Sequence, residues 1–401
     1  MNAPLSEKPA HVSKDAVFDF NFYGDELFGE KLHESLEKLH ERAPDVFWTP
    51  RNGGHWVVTR FAQIAEVVLD TENFSAREQQ IPRLKNPPTF IPLSLDPPDN
   101  VPYRQALMPV FAPKSIRIME DKIRFWARHI LDGVMNRGEC DFIRDVSEPF
   151  PISIFMELMG MDVERLREFR DLAEYFFAVQ NQPAEFERVS GEIVGLMTEY
   201  IEQKRSSPDE GLISHLVHTD VGGRKLRLDE LQNMCFLLCL GGMHTVTNLT
   251  GFAYQHLATQ PALQQRLVED ATLIPAFVEE SVRMFGVIHT PRIVARDCEK
   301  FGMEFRAGEM VLCMLPLAGR DERVTEHPGV FNIDRPKHDH LTFSRGPHLC
   351  IGHFLARTEI RILTEEWLKR IPRFALKPGP SPVYTLSTGN GLKALPLVWD
   401  T

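Results

Sequence analysis

Apolar positions recur at three- and four-residue spacing through most of the chain, which predicts helices over 29–39, 116–135, 151–159, 165–178, 186–204, 230–258 and 352–371. Short runs rich in Val and Trp predict strands at 55–59, 310–314 and 394–399, enough for one small sheet beside the helices. The fold class expected is mainly α with a small β region. No period of 20–50 residues and no low-complexity linker divides the 401 residues, so one unit spanning 1–401 is expected. Its β-rich portion should come from about 45–75, 290–320 and the C-terminal segment.

One stretch resists both periods. Between Phe74 and Asn100 lie Pro82, Pro87, Pro88, Pro92, Pro97 and Pro98, each removing a backbone donor and restricting its neighbour. A loop of that length is either a cover over a binding site or surface irregularity.

Composition is ordinary for a globular chain, 43% hydrophobic and 25% charged, and this length buries a large core without disulfides or metal staples. Forty-five Lys and Arg stand against 56 Asp and Glu, a formal charge of -11 with no basic run, which argues against a nucleic-acid partner. The opening MNAPLSEKPAHVSKD lacks the apolar centre of a signal peptide, and no window supplies some 18 consecutive apolar residues. A cytoplasmic protein with no membrane span is therefore expected. Six cysteines, none in a CxxC pair, read as reduced thiols.

Cys350 differs from the other five. It follows a Gly/Pro turn and directly precedes a helical run, so a thiolate there meets the positive end of a helix dipole and unpaired N–H donors. Such a setting suits a nucleophile or a metal ligand. In the predicted helix over 228–258, about 45 Å long at 1.5 Å per residue, Gly241 and Gly242 lie side by side. Each costs about 1 kcal/mol relative to Ala. Either a flat cofactor or a tight helix crossing would offset that cost. Thr245 follows one turn on, with its hydroxyl free to bond the Gly241 carbonyl or a ligand. Glu280 and Arg283 share a helix face and can pair.

Taken together, these elements resemble a known family. Phe343-x-x-Gly346-x-His348-x-Cys350-x-Gly352 is similar to the cysteine-ligand loop of the cytochrome P-450 superfamily, the haem-thiolate monooxygenases, with His348 where Arg is commoner. Glu280-x-x-Arg283 resembles the family's Glu-x-x-Arg pair, and Leu240-Gly241-Gly242-Met243-His244-Thr245 its oxygen-activating helix. Gly319-Arg320-Asp321 and His327-Pro328-x-x-Phe331-x-x-x-Arg335 resemble the segment before the cysteine loop.

The resemblance implies a triangular helical prism with a long central helix over the haem. It implies haem b (iron protoporphyrin IX) held by the Cys350 thiolate, in a loop shaped by Phe343 and Gly352, with O2 as cosubstrate. Arg104, Arg292 and His348 would meet the haem propionates; Glu280, Arg283 and Arg335 would be structural. Gly241, Gly242, His244 and Thr245 would form the oxygen site. His244 replaces the family's usual acid, and either relays protons or turns to solvent and leaves delivery to water.

Within the superfamily, Phe90-Ile91-Pro92, Asp96-Pro97-Pro98, 148–152 and the closing 394–400 look like the soluble bacterial camphor hydroxylases. That implies a [2Fe-2S] ferredoxin and an NADH-dependent ferredoxin reductase as partners, with Lys337 and Arg104 on the docking face. The tyrosine that holds camphor aligns with Pro88 or Thr89, and proline has no donor. The implied pocket of Pro88, Phe90, Leu93, Leu237, Leu240, Ile288 and Thr388, with His289 near it, points instead to another small hydrophobic substrate. An ionone-like norisoprenoid or a monoterpenoid ketone is expected. Two rivals are a peroxide-driven peroxygenase of the same fold and a non-catalytic haem sensor.

Overall fold

The computed structural model describes residues 5–24, 32–83, 89–179, 182–379, 381–386 and 388–401. Its helices of eight or more residues are α1 Phe61–Leu69, α2 Val101–Phe111, α3 Pro113–Asp132, α4 Pro149–Met159, α5 Leu166–Ala178, α6 Pro183–Ser206, α7 Leu228–Met243, α8 Thr245–Leu257, α9 Pro261–Glu269, α10 Ile274–Met284 and α11 His353–Arg370. The helix expected over 29–39 falls partly outside the described residues; what is described there is two short pieces, Leu32–Glu37 and Leu39–Arg42.

Two local signals set these boundaries. Proline stands in the first turn of α2, α3, α4, α6, α9 and α10, where its missing N–H would have had no helical partner. Gly160 stops α4 at φ 74°, its N–H and that of Met161 returning to the Glu157 and Met156 carbonyls. A side chain on Gly160 would also come within 2.9 Å of Asp209 Oδ2.

The helix expected over 230–258 is two helices. It breaks at His244, whose φ of -116° leaves the helical range. Two hydroxyls donate backward across the break, Thr245 Oγ1 to Gly241 O at 3.0 Å and Thr247 Oγ1 to Met243 O at 3.1 Å. Such back-bonding bends helices, and it follows two adjacent glycines. The span Leu228–Leu257 is apolar enough to cross a membrane by composition, although polar residues interrupt it as expected; 72% of its 18-residue window is buried inside the protein.

The β structure is also more divided than one small sheet. Strands β1 Val46–Thr49, β2 His55–Val58, β3 Phe74–Ser75, β4 Thr290–Val294 and β5 Met310–Cys313 form a sheet in the order β1-β2-β5-β4-β3. Only β5 and β2 run parallel, with Val311 opposite Trp56. Every residue of β1, β2, β4 and β5 is buried, because Val12, Ile64 and Phe305 cover one face and the main core the other. That explains runs of apolar residues instead of alternation. The C-terminal strand, Pro396–Val398, lies in a separate sheet between Glu139–Asp141 and Ala375–Leu376.

Charge is buried with its partners. Glu280 and Arg283 have no side-chain exposure and form a bidentate pair, both contacts 2.7 Å. Arg283 also donates to the carbonyls of Gly319 and Pro328, and Glu280 accepts from Arg335 Nε at 3.0 Å and from the Asn332 N–H at 2.7 Å. Removing either partner would strand a buried charge, at about 3–5 kcal/mol. Gly319 has no side chain because one would lie 2.2 Å from the Arg283 carbonyl.

Several histidines are buried neutral. Burial lowers His33 to about 3 and His55, His244, His289 and His340 to about 4. In the unfolded chain they take up protons near pH 6.5. Their contribution to stability is therefore full above about 6.5 and is lost as pH falls towards 4. Two carboxyls act in the opposite sense: half-buried Glu148, raised by burial to about 7, and buried Glu359, raised by burial well above the usual range. His40, His338, His348 and His353 are lowered as well, so histidines outnumber these carboxyls and unfolding takes up protons in that window. Urea unfolding between pH 7.5 and 5 should show this steep acid loss, and His33→Gln should reduce its slope by about one proton.

Candidate active site

The segment 343–352 is a closed loop. The Cys350 N–H donates to the Phe343 carbonyl at 2.8 Å, and Leu349 N–H to Gly346 O at 3.0 Å. Ser344 and Gly346 turn it with φ of 57° and 67°. At Gly346 a β-carbon would lie 2.5 Å from Leu69 Cδ2, so glycine is required twice over. Phe343 is clamped by the Arg357 guanidinium, 4.5 Å from its ring centroid, and Arg357 is held by Glu279.

Cys350 thus stands three residues before α11. The residue is accessible, while its thiol is enclosed by protein; both hold if it opens into an interior cleft. Burial pushes the thiol up, opposed by the Gly352 N–H and the charges of Arg104 and Arg357. The other cysteines are free as well, and Cys140, Cys235, Cys239 and Cys313 are buried.

The two central glycines have different reasons. On Gly242 a β-carbon would overlap the Phe155 ring at 2.3 Å, a tight crossing with α4. On Gly241 it would meet nothing within 4 Å, and that residue is exposed in the middle of a core helix. Crossing and open face thus coexist, one glycine each. Leu237, Leu240, Gly241 and Thr245 follow each other at helical spacing along α7 and into α8.

His244 sits at the break with its ring in the interior, although the residue as a whole is half-buried. Its Cδ2 lies 3.9 Å from where a side chain on Gly389 would begin. Turning out to solvent is therefore disfavoured. At about 4 its imidazole is neutral at physiological pH, so any relay through it accepts a proton at one ring nitrogen while releasing one from the other.

Two guanidiniums and an imidazole lie near one another. Arg292, 1% exposed, donates from Nη1 to Thr290 Oγ1 and the Pro291 carbonyl; its Nε has no partner and no carboxylate pairs with it. Burial pushes this guanidinium below its usual range. His348 is buried, with Nε2 unsatisfied and Asp96 Oδ1 3.8 Å away. Asp96 also receives the Ser75 hydroxyl and the Ala76 N–H. Arg104 is half-buried and donates to the Leu349 carbonyl at 2.7 Å, so it braces the cysteine loop and is not a free docking cation. A buried guanidinium with no paired carboxylate fits a group bearing carboxylates, and the imidazole of His348, which burial shifts toward its neutral form, could donate to one from a ring N–H. With the enclosed thiol and the open face at Gly241, these residues fit an iron-binding, flat, dianionic cofactor.

The pocket residues fall on several elements. Phe90 is buried, 5.7 Å from the Phe236 ring, and its N–H bonds Ser94 Oγ; Leu93, Leu237, Ile288 and Thr388 are half-buried and Leu240 buried. Pro88 lies outside the described residues. Ile288 bridges Gly389, and His289 N–H donates to Thr388 O, so the 288–290 and 388–390 segments are stitched together. His289 itself is core, bonded to Asn390 at 2.9 Å and edge-on to Phe22. The Pro-rich stretch is tied down by Asp96 and by the Tyr23 hydroxyl on the Ile81 carbonyl. Sequence reasoning passed over Arg357, legible as a cation one turn into the helix after Cys350, and Phe155, which carried no signal.

The comparisons agree with this geometry. The family model described as Cytochrome P450 matches residues 152–392. The chain is 30% identical over 374 residues to the probable cytochrome P450 127A1 of Sinorhizobium fredii, covering 92% of this chain and 90% of that protein. It is also 30% identical to the vitamin D(3) 25-hydroxylase of Pseudonocardia autotrophica, over 92% and 94% of the two chains. Among solved structures, CYP101J2 superposes with a TM-score of 0.92 at 33% identity, covering 99% of this chain and all of that one. CYP101C1 gives 0.89 at 29%, over 98% of this chain and 100% of that one.

If Arg292 is buried for an absent anion's sake, Arg292→Leu should raise the stability of the cofactor-free protein while weakening cofactor retention. Thermal midpoints of both forms, with cofactor transfer to apomyoglobin, would check this; a loss of stability in the cofactor-free form would refute it.

Proposed function

The chain belongs to the cytochrome P450 family and is a haem-dependent monooxygenase, and we propose that it hydroxylates a small terpenoid or norisoprenoid with electrons from a [2Fe-2S] ferredoxin. The observation that carries the reading is the pairing of an enclosed Cys350 thiol with a buried Arg292 that lacks a counter-anion. Haem b, when bound through a cysteine thiolate, supplies oxygen activation, the thiolate's electron density favouring O–O cleavage. Cys350 would hold it, and Arg292, His348 and Arg104 would face its propionates.

The rest is done by the protein. Thr245 hydroxyl now bonds the Gly241 carbonyl and would be the donor able to turn from it toward the cleft. Gly241 leaves room beside it. His244, neutral, would pass protons inward by exchanging its tautomer. Leu237, Leu240, Phe90, Leu93 and Ile288 would exclude water and seat a hydrocarbon skeleton, with Thr388 the polar side chain among them. CYP101J2 and CYP101C1, the structural neighbours, favour a compact terpenoid of the camphor-hydroxylase type.

Electrons would arrive on the cysteine side. Leu349, Phe354 and Met108 are exposed there, beside exposed Lys114 and Arg117 at the start of α3. Pro113, Ile116, Arg117, Phe354 and Thr358 line a shallow concavity between α3 and α11. An apolar centre with a cationic rim suits an acidic ferredoxin in spite of the net charge of -11. Lys337 is exposed and would add to the rim. The bacterial relatives favour a cytoplasmic location.

Reduction under carbon monoxide should give the long-wavelength Soret band of a thiolate-ligated ferrous haem, and Cys350→Ser should abolish it. A wild-type band at shorter wavelength would overturn the assignment. Ferredoxin-supported turnover should show the KM for ferredoxin rising about tenfold in Lys114→Glu/Arg117→Glu, roughly 1.4 kcal/mol, with kcat unchanged. Peroxide-driven turnover that exceeds ferredoxin-driven turnover would favour the peroxygenase.

A further inference from the structure

Behind the helix break lies a second set of hydroxyls. The π-helical turn Ile143–Ser147 packs against α8 so closely that a side chain on Gly251 would strike Ile143 Cδ1 at 2.7 Å. Ser147 Oγ donates to the Thr247 carbonyl at 2.8 Å, and Thr247 Oγ1 reaches the Ser147 carbonyl at 3.0 Å. Each residue's hydroxyl thus bonds the other's backbone. Thr250 Oγ1 lies 3.1 Å from Ser147 Oγ and itself donates to the Val246 carbonyl. Ser147, Thr247 and Thr250 are 0%, 3% and 1% exposed, so none of these bonds competes with water.

Thr247 shares its one proton between the Ser147 carbonyl and the Met243 carbonyl on the far side of the break. Thr245 makes the equivalent backward bond to Gly241 from the open face, where it is half-buried. The break is therefore pinned on two faces, one dry and fixed to another element, the other at the cleft. When Thr245 turns from Gly241 to a ligand, the cleft-side pin is released. Only the buried one then stops the first turn of α8 from closing onto α7.

We infer that Ser147 and Thr247 are positioning residues for oxygen activation: their reciprocal clasp holds the helix break open and so aims the Thr245 hydroxyl at the cleft. The inference rests on the reading of Gly241 and Thr245 as the oxygen-facing groove. Neither residue touches substrate or cofactor. Losing either hydroxyl opens one half of a clasp that water does not reach, so a local repacking of the break is the expected response.

The test uses the haem-loaded, ferrous, carbon monoxide-bound protein, whose C–O infrared stretch reports the polar groups that a diatomic ligand meets. Thr247→Val keeps shape and removes the hydroxyl; Ser147→Ala removes a single donor and guards against a Thr247→Val protein that fails to fold; Thr247→Ser restores the hydroxyl. The clasp predicts one narrow band for wild type and Thr247→Ser, and a shifted or split band for Thr247→Val and Ser147→Ala. In a Thr245→Val background, Thr247→Val should add no further change. If Thr247→Val and Ser147→Ala keep the wild-type band while only their thermal midpoints fall, the clasp is a brace and the inference is overturned. A Thr245→Val protein with an unaltered band would overturn the groove assignment itself, and loss of the thiolate Soret band would overturn the haem reading, so the three failures are distinct.

Discussion

An ion pair with no access to solvent governs the arrangement of the site. Glu280 and Arg283 cannot be buried singly, so each must collect every partner that the surrounding chain offers. Arg283 takes carbonyls from Gly319 and Pro328; Glu280 takes Arg335 and the Asn332 amide. The irregular chain from 319 to 335 is thereby spread over one helix without secondary structure of its own. Thr342 extends the tie, its hydroxyl on the Val282 carbonyl of the same helix at 2.7 Å. The cysteine loop begins at the next residue. A precise ligand position is reached through backbone carbonyls satisfied by one guanidinium, which is geometry that a surface ion pair could not impose.

Much of this was legible beforehand, and the reasons for the exceptions differ. Helical periods located α3 to α8 and α11, most of which bury one face while α4 and α8 are buried nearly all round, and the cysteine loop was legible because glycine, aromatic and cysteine positions are each demanded by geometry. The break at His244 was hidden, since apolar period continues across it and only the hydroxyls of Thr245 and Thr247 mark it. The adjacent glycines posed a choice between cofactor and crossing that no pattern could resolve. Phe155, almost 90 residues earlier, decides it for Gly242, and nothing local encodes that meeting. Arg104 shows the converse: its position suggested an anion or a partner, and no pattern foretold that one of its nitrogens also braces the Leu349 carbonyl.

Electrostatics inside and outside follow different rules here. The surface is acidic overall, with ion pairs such as Arg165–Glu168 and Arg188–Glu185 that are exposed and individually worth little. Buried charge is instead answered locally, Arg283 by Glu280 and Arg320 by Glu37, while Arg292 is buried without a paired carboxylate. A chain of negative net charge can thus still offer one unanswered buried cation to a dianionic cofactor. The cost falls on the cofactor-free state, which carries Arg292 without an answering charge.

The apolar span Leu228–Leu257 has a consequence for biosynthesis. Its coverings come from both directions along the chain: the π-turn and α4 precede it, while α10, α11 and the strand Gly391–Leu392 follow. During translation the span emerges with half its wrapping still unmade, and about 100 residues must be added before α11 can seal it. For that interval the growing polypeptide exposes a segment with the composition of a membrane anchor, a target for holdase chaperones or misdirected insertion. Slow elongation beyond residue 257, or truncation before residue 353, should therefore impair yield far more than the small mass of missing chain would suggest.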